Sequence, residues 1–127
     1  MSDKVSAILF VKDLARVTAF YREVLSARPG CASADHATLH CGTAFSLVLH
    51  QIPRQYADNI HIDTPPQRRE QAAIKLCFPV DSIVRARKAA AELGGALDAG
   101  PPAWVIDQQK ICMGCDPEGN VFQVNEE

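Results

Sequence analysis

Asp116-Pro117-Glu118-Gly119-Asn120-Val121-Phe122-Gln123-Val124 is the stretch on which the reading of this chain turns. Pro117 and Gly119 mark a tight turn, because proline presets φ for an early turn position and glycine accepts the positive φ that closes one. Val121 to Val124 then read as a final strand. Strand–turn–strand at the end of the chain raises the question of what the strand pairs with, and the rest of the sequence answers it.

The same order of elements occurs twice. Val5 to Val11 reads as a strand, and Asp13 is placed to cap a helix that begins at Leu14. Leu14, Val17, Phe20, Tyr21, Val24 and Leu25 recur at helical spacing and form one apolar stripe. Pro29-Gly30 is expected to end that helix, and residues 30–33, 36–41 and 44–51 read as short strands. Later, residues 74–80 read as a strand and Asp81 or Ser82 as a cap. A helix over 83–93 follows, and Gly94-Gly95 stops it. Strands near 96–99, 110–114 and 120–125 complete the second copy.

Val11 and Val80 stand 80 − 11 = 69 positions apart, and the same offset pairs Leu14 with Ile83 and Glu23 with Glu92. Aligning Gly42 with Gly119 gives 119 − 42 = 77 for the final strands, which implies 77 − 69 = 8 extra residues in the second copy, around 100–109. The expected fold is α+β, with two tandem βαβββ modules. Module one spans 4–52, a linker 53–71, and module two 72–126 of a single domain.

Composition agrees with an ordinary soluble domain. The 127 residues are 47% hydrophobic and 22% charged, with a net charge of −2. That balance gives no reason to expect nucleic acid or a membrane surface as partner. Met1-Ser2-Asp3-Lys4 lacks a signal-peptide profile, and five cysteines without a framework spacing point to reduced thiols, so a cytoplasmic location is expected.

Three phrases carry a specific resemblance: Ile8-Leu9-Phe10-Val11-Lys12-Asp13-Leu14, Phe20-Tyr21-Arg22-Glu23-Val24-Leu25, and Asp116-Pro117-Glu118-Gly119-Asn120. They resemble the vicinal-oxygen-chelate superfamily, which includes glyoxalase, extradiol dioxygenases, fosfomycin-resistance transferases and metal-free bleomycin-resistance proteins. The resemblance implies that the two modules form a curled mixed sheet around a cup with the helices outside, in a homodimer whose cup is closed within a chain or between chains. It also implies a metal-ligand position on each of four strands, which fall here on Ser6, Ser46, Lys75 and Gln123. Gln123 stands where the superfamily usually has a glutamate. None of the four is a good ligand: serine and amide oxygens are weak beside imidazole or carboxylate, and an ammonium repels a cation. The expectation is therefore no metal and no other cofactor.

Strand alternation assigns faces. Val5, Ala7, Leu9 and Val11 should face the helix, as should Ile74, Leu76, Phe78 and Val80. Ser6, Ile8, Phe10, Lys75, Cys77, Ser46, Val48, His50, Val121 and Gln123 should face the cup. The expected ligand-binding cup comprises Ser6, Ser46, Lys75, Gln123, His40 and His50. A lysine on an apolar sheet face must find a partner or snorkel out, so Lys75 is the sharpest signal. His40, His50, Cys77 and Cys112 could share that face as an unconventional zinc set, but cysteines are also good small core residues. Cys112-Met113-Gly114-Cys115 spells CxxC, yet on a strand its two thiols point to opposite faces. His36 and His40 share a strand face and read as polar lining, and His61 as a loop histidine.

Two function classes follow. One is a protein that binds or sequesters a small, apolar-bodied, possibly anionic ligand without metal. The alternative is a lyase, isomerase or oxidoreductase of the superfamily that works without the usual metal or with an unconventional one. The missing ligand residues favour the first.

Overall fold

The computed structural model of the chain describes residues 4–99, 104–106 and 108–127. Module one consists of β1 (Val5–Val11), α1 (Leu14–Leu25), β2 (Arg28–Ala32), β3 (His36–Cys41) and β4 (Phe45–Gln51). A short helix α2 (Arg54–Ala57) lies in the linker. Module two consists of β5 (Leu76–Pro79), α3 (Ile83–Glu92), β6 (Ala96–Leu97), β7 (Trp104–Ile106), β8 (Gln109–Cys115) and β9 (Val121–Glu126). The first sheet has the order β1-β4-β3-β2 and the second β5-β9-β8-β6, with β7 also paired to β8. In each, the first strand runs parallel to the last and the other pairs are antiparallel.

The two helices begin alike. Asp13 accepts a hydrogen bond from Arg16 N at 3.2 Å, and Ser82 accepts one from Arg85 N at 3.1 Å. Leu14 N donates to Gln51 Oε1 at 3.0 Å, and Ile83 N donates to Glu126 Oε1 at 2.6 Å. The repeat is thus visible as a repeated hydrogen bond from helix start to last strand. Helix α1 ends before Pro29-Gly30: Ser26 takes a left-handed conformation (φ 50) and its N–H closes on Arg22 O. Pro29 instead lies in β2, an edge strand, where a missing donor is tolerated.

Strand register corrects the alignment of the copies. Ile8 pairs with Val48 and Cys77 with Gln123. With Ile8 and Cys77 equivalent at the 69-residue offset, Gln123 corresponds to Val48, at 123 − 48 = 75 rather than 77. The two hairpin loops are equally long, 42–44 between Cys41 and Phe45 and 117–119 between Asp116 and Asn120. Their positive-φ glycines, however, sit at opposite ends, Gly42 first (φ 71) and Gly119 last (φ 87). Matching glycine to glycine therefore slid the final strands by two. The net insertion is 75 − 69 = 6 residues and falls between β6 and β8, where Pro101 and Pro102 lie outside the described residues.

Face assignments by alternation agree with burial within the paired strands: Val11, Leu47, Leu49, Phe122 and Val124 are buried, while Ile8 and Phe10 are 60% and 62% exposed. Val5 and Ile74, expected to face the helices, are instead exposed, because Val5 starts its strand and Ile74 precedes β5, which begins at Leu76. One apolar cluster joins Val17, Phe20, Tyr21 and Val24 of α1 to Leu47 and Leu49 of one sheet and Phe78, Phe122 and Val124 of the other. Tilted and edge-on aromatic contacts run through it, Phe20–Phe122 at 5.9 Å and Phe45–Phe78 at 5.9 Å among them. Burial of each such large side chain stabilises the fold by about 1.5–3 kcal/mol. Among the described residues the modules meet through α1, α3 and the helix-facing sides of the sheets, and the two sheets are not hydrogen-bonded to each other.

Candidate functional site

The last hairpin loop is a clamp between modules. The Asp116 carboxylate is fully buried and accepts from Tyr21 Oη (2.7 Å), Glu118 N (2.8 Å), Asn120 N (3.1 Å) and Asn120 Nδ2 (2.9 Å). Burial, and after it the charge and hydrogen bond of Asp116, hold the Tyr21 phenol well above its ordinary pKa. The nearly buried Glu118 carboxylate takes Lys12 N and Asp13 N, both at 2.8 Å, at the junction of β1 and α1. Lys12 Nζ in turn donates to Ile60 O in the linker. These acids are structural. Each Asp116 oxygen accepts two hydrogen bonds and each Glu118 oxygen one, all from groups of the protein itself.

The linker docks on the same loop. Arg69 N donates to Gly119 O at 2.8 Å, and Gln67 O lies 2.1 Å from where a Cβ on Gly119 would stand. Only glycine permits both that approach and the positive φ. This seating carries Arg68 to the second sheet, where its Nη2 is 2.7 Å from Asp98 Oδ1. Partial burial opposes the Arg68 charge, but Asp98 and Cys115 outweigh it and its pKa is raised. Burial likewise pushes the Cys115 thiol up, with Arg68 pulling against it.

The six residues expected in the cup fall into two groups. On the first sheet Ser6 is exposed and pairs in register with Ser46, which is buried. Ser46 Oγ is 3.0 Å from His40 Nδ1 across the β3–β4 ladder. Burial, then the charges of Lys4 and Arg28, lower the His40 pKa, so the ring is neutral at pH 7. His50 packs against Phe10, centroids 5.7 Å apart, with Nδ1 3.1 Å from Gln51 O. On the second sheet Lys75, immediately before β5, is exposed and directs Nζ to Met113 Sδ at 3.2 Å. Met113 is the register partner of Gln123, whose Nε2 donates to Asn125 Oδ1 at 2.8 Å. Lys75 therefore lies on the expected face and has snorkelled into solvent. None of the ion pairs among the described residues involves it.

Cys112 is not on that face. It pairs with Val124, is buried on the helix side and lies 3.5 Å from Asp98 O, whereas Cys115 pairs with Val121 on the cup side. The thiols of the CxxC do point apart, because an odd separation on a strand places them on opposite faces. The register shift also moves the counterpart of Gln123 from Ser46 to Val48, which offers no ligand atom. The usual metal does not fit this donor set. Among the described residues no group of three or more His, Cys, Asp or Glu side chains could hold a metal ion.

Two cavities adjoin this region. One of about 1000 Å³ opens at the seam between the modules, walled by Leu47, Leu76, Phe78 and Phe122, with Tyr21, Arg69, Glu70, Gln71 and Asn120 among its polar groups. A smaller one of about 400 Å³ lies over the second sheet and is lined by Lys75, Met113 and Val121. Arg68 lines both. Of the six expected residues only Lys75 lines the smaller cavity, and none lines the larger. Sequence reasoning missed Arg68 because nothing local distinguishes it from the other charges of the linker.

A family model described as a glyoxalase-like domain matches residues 6–125. Several solved structures share the fold. A glyoxalase/bleomycin resistance protein/dioxygenase family enzyme from Burkholderia phytofirmans is 20% identical, with 95% of each chain covered and a TM-score of 0.68. A fosfomycin resistance protein, FosX, from Listeria monocytogenes is 15% identical, covering 100% of this chain and 94% of its own, with a TM-score of 0.65. An integron cassette protein from V. Cholerae is 24% identical, covering 99% and 95%, with a TM-score of 0.63. No curated protein matches the chain in sequence.

Proposed function

The chain belongs to the glyoxalase-like domain family, and from that premise we propose that it binds a small ligand with an apolar body and one anionic group, without the metal usual to the superfamily. The observation that carries this is Lys75. It presents an ammonium, in no ion pair with a described carboxylate, at a cavity of about 400 Å³ whose lining sets two cations, Lys75 and Arg68, against one acid, Glu70, beside apolar Met113, Val121 and Phe122. A charge-assisted hydrogen bond to such a group is worth roughly 1.5–3 kcal/mol, enough to select an anion over its neutral analogue. The donor set at Ser6, Val48, Lys75 and Gln123 supports the metal-free part of the reading, since it offers no anionic or imidazole ligand.

The proposed binding unit is a homodimer with the cup closed between chains. Parallel pairing with β4 directs the N–H and C=O of Val5, Ala7, Leu9 and Val11 inward, leaving those of Ser6, Ile8 and Phe10 at a free edge. Ile8 and Phe10 beside that edge, and Ile74 ahead of β5, are exposed apolar groups that a second copy would cover. A partner's second sheet laid along β1 brings its Lys75 and Gln123 opposite Ser6, Ser46 and His40. Light scattering should report a dimer, and Phe10→Glu should shift it toward monomer. A wild-type monomer at micromolar concentration would remove the inter-chain cup.

The ligand reading is tested by calorimetric titration of apolar monocarboxylates, 4-phenylbutyrate among them, and their amides against wild type and Lys75→Met. The carboxylates should bind about tenfold or more weakly to the variant, and the amides equally to both. Equal carboxylate affinities would refute the role of Lys75.

A further inference from the structure

We infer that Arg68 is a second anion-recognising residue of this site, and that Asp98 occupies it in the free protein as a stand-in for the carboxylate of the ligand. This rests on the proposed reading of Lys75 and names the anion more closely. Arg68 and Lys75 line one cavity of about 400 Å³ with a single acid, Glu70, and Arg68 and Glu70 also reach the larger cavity at the seam. Arg68 is thus placed where the charged end and the apolar body of one ligand would meet.

The geometry gives the guanidinium freedom while fixing its base. Residues on both sides of Arg68 are held by the last hairpin loop, Arg69 through Gly119 O and Gln67 through its close approach to Gly119. The side chain itself is 28% exposed, and its partner Asp98 is 53% exposed. An ion pair with one arm half in water is easily exchanged, because water re-solvates the carboxylate that leaves. Asp98 is held in place through its backbone: its N–H donates to Met113 O at 2.9 Å, and its O accepts from Arg87 Nε at 2.9 Å. Its carboxylate can therefore swing away without disturbing the β6–β8 pairing. A planar guanidinium matches a planar carboxylate in a two-point contact, which a single ammonium cannot offer. The ligand class indicated is a monocarboxylate on an apolar body, gripped by Arg68 and neutralised further by Lys75.

Most ion pairs to a binding-site arginine would help hold it in place, so their loss would weaken binding. A stand-in predicts the reverse. Asp98→Asn keeps the shape and removes the competing charge, so 4-phenylbutyrate and the other carboxylates should bind about three- to tenfold more tightly, with the amides unchanged. Arg68→Gln should weaken the carboxylates about tenfold or more, and Arg68→Lys should recover only part of that, because an ammonium lacks the fork. Thermal unfolding of each variant, which should stay within a few degrees of wild type, separates loss of fold from loss of recognition. Carboxylate binding weakened or unmoved by Asp98→Asn overturns the stand-in. Binding lost with Lys75→Met but unaffected by Arg68→Gln overturns this inference and leaves the role of Lys75 intact. No effect of either cation variant, or no carboxylate bound by wild type or Asp98→Asn, overturns both.

Discussion

The two hairpin loops that close the modules have the same length and the same place in the fold, yet one is a surface turn and the other a clamp. Gly42-Thr43-Ala44 is exposed, and a Cβ on Gly42 would meet nothing within 4 Å. Pro117-Glu118-Gly119 is buried, with Glu118 holding the start of α1 and Gly119 lying under the linker. The comparison separates what the repeat requires from what one copy has added. A hairpin needs only a residue with positive φ. At the second hairpin Asp116 and Glu118 fasten the other module while Gly119 seats the linker, and it is through that linker that Arg68 reaches the cup side of the second sheet. The first sheet's cup face, with Ser6, Ser46 and His40, has no such cover and no described acid fastening it.

Substitutions at equivalent positions should expose the asymmetry. The largest effect is expected at Asp116. Its replacement by Ala strands several buried donors at once and should cost about 3–5 kcal/mol in chemical denaturation, whereas Cys41→Ala at the equivalent position should cost far less. Gly119→Ala combines a forced positive φ with a backbone clash and should cost about 2–3 kcal/mol, while Gly42→Ala should cost about 1 kcal/mol from conformation alone. Similar losses at the two glycines would mean that the linker does not rest on the second loop as described.

Tyr21→Phe should cost about 1–3 kcal/mol, since Asp116 loses its only donor from module one. The pH dependence has a definite sign. The folded phenol keeps its proton above the pH at which the unfolded one releases it, so the contribution of Tyr21 is full below about pH 10 and declines above it. The Phe variant should lack that alkaline decline, measured from denaturation midpoints between pH 9 and 11. The smallest effect belongs to the first sheet. The His40 pKa is lowered in the fold, so as pH falls below the unfolded value of 6.5 the unfolded chain takes up the proton first. Stability should therefore fall slightly through that window, and His40→Gln should flatten it. An unchanged slope would place the titration elsewhere.

Much of the fold was legible because it rests on local chemistry. Asp13 and Ser82 cap helices where a short polar side chain precedes an apolar stripe, and β1 and β3 fall where alternation put them. Cup-facing positions were legible for the same reason. Three features were not. The final strands were misregistered because Gly42 and Gly119 serve opposite ends of their loops. The contact between modules depends on which faces of two completed sheets meet, and no periodicity encodes that. Arg68 owes its place to the docking of a loop by backbone atoms of Gln67, Arg69 and Gly119, which carry no side-chain signal.

In the proposed function, side-chain cations of this protein, rather than a bound metal, hold the anionic end of a ligand. This is decided by titrating one apolar monocarboxylate into protein stripped with a strong chelator, and again after resupply of zinc or manganese. The same dissociation constant is expected in both, weakened about tenfold by Lys75→Met in each. Binding that vanishes on stripping and returns with the metal would contradict it.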